Sequence, residues 1–218
     1  MKAVIFYFNG TLFFDTPLHI ETWKKYIQKT LNQNLTDEQF MQRIWGRDNN
    51  AIIQDFYKTD DLDRIHWISN DKEREYRKLC LTKDISLVKG SIRFFEALKE
   101  KGIPFTIATG ANKENVDFYF DVFELDKWFD YDQVIYDDGY LPGKPDPTIY
   151  KMTVENLKMK PEDCMVIEDS KVGVEAAHRA GIKEVYVITE STCDFESSVS
   201  GVIHDFDELM ELLWKQND

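Results

Sequence analysis

The chain is poor in residues that would tie it together covalently or hold it in a membrane. Only three cysteines occur in 218 residues: Cys80, Cys164 and Cys193. An odd number without paired spacing is neither a disulfide framework nor a zinc motif, so reduced thiols are expected. There is no run of about 18 apolar residues, the length a spanning helix needs. The apolar run Val4–Phe8 is too short for the core of a secretory leader. Basic residues are scarce, 27 Lys and Arg against 40 Asp and Glu, for a formal net charge of −13. That balance argues against nucleic acid, which rewards basic faces, and against anionic membrane surfaces. His19, His66, His178 and His204 show no metal-ligand spacing. Neither an internal repeat nor a low-complexity segment is present. A reduced, cytoplasmic globular protein is the expectation.

What is present reads as two kinds of texture. A hydrophobic share of 43% and a charged share of 31% are ordinary for a globular chain. Val4–Phe8 reads as a strand buried on both faces, stopped by the turn pair Asn9-Gly10. From about Phe13 to Ser86 the apolar spacing is helical throughout, with no strand pattern. Thr36 with Gln39 three residues on predicts a capping box. Trp23, Phe40, Trp45, Phe56 and Trp67 are expected to pack between these helices. From Lys89 onward helices and short strands alternate: strands over 104–108, 133–136, 163–167 and 184–188, an edge strand over 201–203, and a terminal amphipathic helix over 206–214. Strands separated by helices of 10–15 residues imply βαβ units and a parallel sheet. The fold class is therefore α/β with a helical insertion. In such sheets ligands bind at the carboxyl ends of the strands.

Four stretches at those strand ends carry the chemistry. They are Tyr7-Phe8-Asn9-Gly10-Thr11-Leu12, then Ile107-Ala108-Thr109-Gly110, then Gly143-Lys144-Pro145-Asp146-Pro147, and finally Val166-Ile167-Glu168-Asp169-Ser170. In this order and spacing they resemble the four motifs of the haloacid dehalogenase superfamily, in its β-phosphoglucomutase and phosphoglycolate phosphatase subgroup. The resemblance implies a Rossmann-like parallel core over 1–13 and 87–218 and an inserted four-helix cap over 14–86. It assigns phosphate binding to Thr109, Gly110 and Lys144. It makes Glu168, Asp169 and the carbonyl of Asn9 the magnesium ligands. Arg47, in Gly46-Arg47-Asp48, falls where related caps carry a substrate-facing loop.

The first motif departs from the family. Tyr7 stands where the nucleophilic aspartate is expected, and Asn9 where the acid/base aspartate is expected. A phenol with an unperturbed pKa of about 10 is a poor nucleophile at neutral pH. A carboxamide transfers no proton. The remaining charges, Glu168 and Asp169 against Lys144, leave one net negative charge without any ion. Mg2+ is accordingly expected to bind weakly or not at all. The sequence points to an inactive phosphatase or phosphomutase frame that binds a small phosphorylated metabolite or a protein partner. The alternative is a phosphohydrolase or sugar-phosphate mutase with weak, Mg-dependent activity. Asn9-Gly10 is also a deamidation candidate if its turn is mobile.

Overall fold

The structure is a computed structural model that describes residues 2–44, 47–190, 195 and 198–214. Trp45, Gly46 and Cys193, named above, lie outside the described residues. The chain divides into two compact units, residues 1–14 with 86–218 and residues 15–85.

The first unit is built on a six-stranded parallel sheet in the order β3-β2-β1-β4-β5-β6. Its strands are β1 (Ala3–Phe6), β2 (Phe105–Asn112), β3 (Ile135–Asp137), β4 (Cys164–Glu168), β5 (Glu184–Ile188) and β6 (Gly201–Ile203). Five helices pack with it: α5 (Ser91–Glu100), α6 (Lys113–Phe123), α7 (Thr148–Asn156), α8 (Lys171–Arg179) and α9 (Phe206–Trp214). β1 lies between β2 and β4, at the point where the strand order reverses. Residues alternate across a strand, and β1 shows what each face meets. Ala3 and Ile5 share a buried cluster with Ile149 and Tyr150 of α7 and Ala176 and Ala177 of α8. Phe6 points the other way, into five rings: Phe94, Phe95, Phe105, Phe129 and Phe206, at centroid distances of 5.3–6.2 Å. Both faces are covered, which is why the strand is uniformly apolar.

The strand is shorter than its apolar run. It ends at Phe6, because the Phe8 carbonyl turns away from the ladder to accept the amides of Thr11, Leu12 and Phe13 at 3.1, 2.8 and 3.2 Å.

The second unit holds α1 (Thr16–Leu31), α2 (Asp37–Arg43), α3 (Asn49–Tyr57) and α4 (Leu62–Cys80). The Thr36–Gln39 capping box forms at the start of α2. Trp23, Phe40 and Phe56 join Tyr26, Ile27, Ile44, Ile52, Ile53, Ile65 and Ile68 in one core. Trp67 does not: it is 66% exposed. The buried stripe of α4 runs through Ile65, Ile68, Lys72 and Tyr76, and Trp67 lies off that stripe.

Lys72 is an unusual member of this core, only 1% exposed. Its ammonium meets Glu73 Oε1 at 2.8 Å and His19 Nδ1 at 2.8 Å. His19 Nε2 lies 3.2 Å from the buried carboxylate of Asp15, which also accepts from Tyr76 Oη at 2.6 Å. Asn49 donates to Glu73 at 2.7 Å. A buried charge keeps its place only while it is paired and hydrogen-bonded. Removing one partner of such a pair typically costs about 3–5 kcal/mol. Lys72→Ala should therefore lower unfolding stability by about 3 kcal/mol in urea titrations, far more than truncation of the exposed Lys29. Lys72→Met combined with Glu73→Gln should recover most of that loss.

Candidate functional site

The carboxyl ends of β1, β2 and β4 bring the four motif stretches together. Just past β1, the amide of Tyr7 donates to the Ile167 carbonyl of β4 at 3.0 Å, so Tyr7 still follows the strand's direction. Its parity is that of Ala3 and Ile5, the face of α7 and α8. The ring is not swallowed by the apolar core. Its face carries the Lys144 ammonium, 3.1 Å from the ring centroid, and a Cβ on Gly110 would stand 3.8 Å from its hydroxyl.

The turn after Tyr7 is fixed by glycine. Gly10 has φ +75°, and a Cβ there would sit 2.3 Å from Asp169 Oδ2. Only glycine lets the turn lie against that carboxylate. The Gly10 amide donates to the Phe13 carbonyl at 2.8 Å. The side chain of Asn9 is held at both ends: its amide nitrogen donates to Tyr119 Oη at 2.7 Å, and its oxygen accepts from Thr109 Oγ1 at 3.2 Å. Thr109, fully buried on β2, accepts in turn from the Ala111 amide at 3.1 Å. A threonine hydroxyl has one proton to give, and here Asn9 receives it. These contacts hold the turn from both sides and oppose the deamidation that the Asn9-Gly10 pair suggests. The Gly10 nitrogen that would attack the side chain is engaged with Phe13. Peptide mass spectrometry of protein aged at neutral pH should find Asn9 intact.

Glu168 is completely buried and accepts five hydrogen bonds. Oε1 accepts from the Lys144 ammonium and from Tyr150 Oη of α7. Oε2 accepts from the amides of Asp169 and Ser170, at 2.9 and 3.2 Å, and from Ser170 Oγ at 3.2 Å. The carboxylate is tucked under the first turn of α8, where a Cβ on Gly173 would come within 2.1 Å of it. Ser170 caps that helix through the Gly173 amide at 3.2 Å. The partially positive helix start favours the anion. Burial pushes the Glu168 carboxyl up, but the Lys144 charge and the hydrogen bonds from Lys144, Tyr150 and Asp169 outweigh it and hold it below the usual range. The Tyr150 phenol is pushed well above its ordinary value by burial and by the charge on Glu168. It therefore stays a hydrogen-bond donor.

Tyr7, Asn9, Thr109, Gly110, Lys144, Glu168 and Asp169 thus share one place. Arg47 belongs to the helical unit, where its guanidinium donates to the Arg43 and Ala51 carbonyls at 3.2 and 3.1 Å and lies 3.5 Å from Asp55. Tyr119 and Tyr150 join the site with no local signal in the sequence. A tyrosine on the apolar face of a helix reads as core, and nothing local marks its hydroxyl as part of a site. Cys80 and Cys164 are buried, and burial raises both thiols to about 11.

Of the expected magnesium ligands, the Glu168 carboxylate is not free to hold a resident ion. Mg2+ takes hard oxygen ligands in near-octahedral geometry. Both oxygens of Glu168 are already spent on protein donors, an ammonium among them. Tyr7 offers a phenol ring where the resemblance leads one to expect the nucleophilic aspartate. Among the described residues no group of three or more His, Cys, Asp or Glu is arranged to hold a metal.

The Glu168 network also sets a pH dependence. A carboxyl whose folded pKa is depressed contributes stability above its unfolded pKa, and that stability is lost as pH falls through the folded value. Glu168 falls in this class. Glu168→Gln should cost about 3 kcal/mol at pH 7, because Lys144 is left largely buried and unpaired. The penalty should shrink as pH falls below about 4.3, the unperturbed glutamate value, where the unfolded chain takes up a proton that folded Glu168 does not. Urea unfolding of both proteins from pH 3 to 7 measures this directly.

A family model described as haloacid dehalogenase-like hydrolase matches residues 1–181. The phosphorylated carbohydrates phosphatase of Thermotoga maritima is 31% identical over 199 residues, covering 89% of this chain and 88% of that protein. Among solved structures, a HAD hydrolase of family IA, variant 3, from Entamoeba histolytica superposes with a TM-score of 0.89 at 34% identity, over 95% of each chain. CbbY from Rhodobacter sphaeroides, solved in complex with phosphate, superposes with a TM-score of 0.81 at 23% identity over 96% of each chain, a likeness of fold.

Proposed function

The chain belongs to the haloacid dehalogenase-like hydrolases, and from that premise we propose that it is a catalytically silent or strongly impaired member that holds a small phosphorylated ligand at its strand ends. In this reading residues 14–86 are the family's helical cap. The observation that carries the proposal is the lodging of Lys144, 3.1 Å from the centroid of the Tyr7 ring and ion-paired with Glu168. Where the family places a nucleophile, this chain has a phenol ring, and the retained Lys144 rests its ammonium on that ring. Tyr7 offers no carboxylate to form an acyl phosphate. Asn9 has no proton to exchange, and general acid–base assistance is typically worth about 10²–10⁴ in rate.

The ligand class rests on the groups retained, Thr109, Gly110 and Lys144, and on relatives whose names refer to phosphorylated carbohydrates and phosphate. A protein partner at the same place is the competing occupant. Retained Glu168 and Asp169 are what a weakly active, Mg-dependent phosphohydrolase would also need.

Hydrolysis of a panel of small sugar phosphates with and without Mg2+ tests the proposal. The wild type should show no turnover above that of Lys144→Met. Tyr7→Asp and Asn9→Asp should each restore little, and the double variant far more than their product, as for catalytic groups acting as a unit. Restored activity should depend on Mg2+, since two added carboxylates call for a cation. A wild-type kcat near the ~10 s−1 typical of enzymes would overturn the silent reading. A sugar phosphate that raises the melting temperature without being hydrolysed would support it.

A further inference from the structure

Two groups that would grip an anion at the strand ends are already engaged by the two residues that depart from the family pattern. The Lys144 ammonium is wedged between Glu168 and the face of Tyr7, with the Tyr150 ring 5.5 Å away. The Thr109 hydroxyl gives its proton to Asn9, which Tyr119 holds in that orientation. We infer that Tyr7 and Asn9 are the affinity-determining residues of this pocket, acting as internal competitors: an oxyanion must draw Lys144 from the Tyr7 ring and the Thr109 proton from Asn9 before it can use either.

The inference rests on the reading of the pocket as an oxyanion site and adds to it which residues limit binding. Its physical basis is a balance of contacts. A desolvated cation–π contact holds an ammonium appreciably, and Lys144 has only 12% of its side chain exposed. Shortening or removing the ring should release the ammonium toward a ligand while its pairing with Glu168 persists. Tyr7→Phe keeps the π face and should change nothing, whereas Tyr7→Leu keeps apolar bulk and loses it. The phenol hydroxyl is therefore predicted to be irrelevant, which separates this inference from any account in which Tyr7 acts through its oxygen.

Inorganic phosphate in EDTA is the probe, titrated by calorimetry. Tyr7→Leu, and Tyr7→Ala as a second variant, should bind about tenfold tighter than wild type. Tyr7→Phe should match wild type, and Lys144→Met should abolish binding in every background. Asn9→Ala should give a smaller gain. In the wild type, the Lys144 side-chain protons lie in the shielding region over the Tyr7 ring and should move downfield as phosphate binds. Folded Tyr7→Leu and Tyr7→Ala proteins that bind no tighter than a wild type that does bind would overturn the inference and leave the oxyanion reading standing. Lys144 protons that stay in place at saturating phosphate would do the same. Binding by Tyr7→Leu but not by wild type would support the inference and overturn the reading that the natural protein holds such a ligand. Binding by none of them would overturn both.

Discussion

A buried carboxylate needs donors on every side, and Glu168 obtains them from three separate places in the chain. Lys144 comes from the loop before α7, Tyr150 from α7 itself, and the amides and hydroxyl of 169–170 from the turn that starts α8. Because none of these can move without uncovering a charge in a low-dielectric interior, the loop, the helix and the turn are mutually fixed. The small side chains of α8 follow from the same demand. Gly173 leaves room for the carboxylate, and Ala176 and Ala177 let the helix lie close on β4.

The site's unusual chemistry follows from what surrounds that hub. Lys144 cannot leave Glu168 cheaply, so the ring of Tyr7 settles over the ammonium rather than displacing it. The aromatic face of Tyr7 thereby offers the ammonium a second partner beside Glu168. Asn9 is accommodated in a comparable way. A carboxamide both accepts and donates, and it finds Thr109 for one role and Tyr119 for the other. Tyr119 in turn stacks on Phe8 at 4.2 Å, which anchors its hydroxyl on the buried side of α6. Both side chains are thus built into the packing, with neighbours that satisfy them.

The helical unit solves burial differently. Its core is mostly isoleucine and aromatic side chains, yet it encloses a lysine, a glutamate and an aspartate linked through His19, Tyr76 and Asn49. A network of this kind adds little net stability after desolvation, but it penalises any packing in which one member is misplaced.

Local pattern determined a good deal. The apolar strand runs, the alternation with helices, the Thr36–Gln39 box and the Asn9-Gly10 turn were legible because each depends on residues within a few positions of one another. The strand-end motifs were legible for the same reason: each is a short stretch with its own turn chemistry. The reach of α4's apolar stripe was not, since periodicity alone did not say that Trp67 lies off it. What only the tertiary structure decided is where the polar atoms point. Asn9 and Tyr119 are 110 residues apart, and Lys144 and Glu168 are 24 apart. His19 and Lys72, unremarkable in the sequence, become partners across 53 residues. A hydrogen bond requires atoms about 3 Å apart at a set angle, and no local pattern specifies that for side chains carried on different helices and strands. Composition and spacing placed the right residues at the strand ends. The folded chain alone showed that Lys144 rests on the ring of Tyr7 and that Thr109 gives its proton to Asn9.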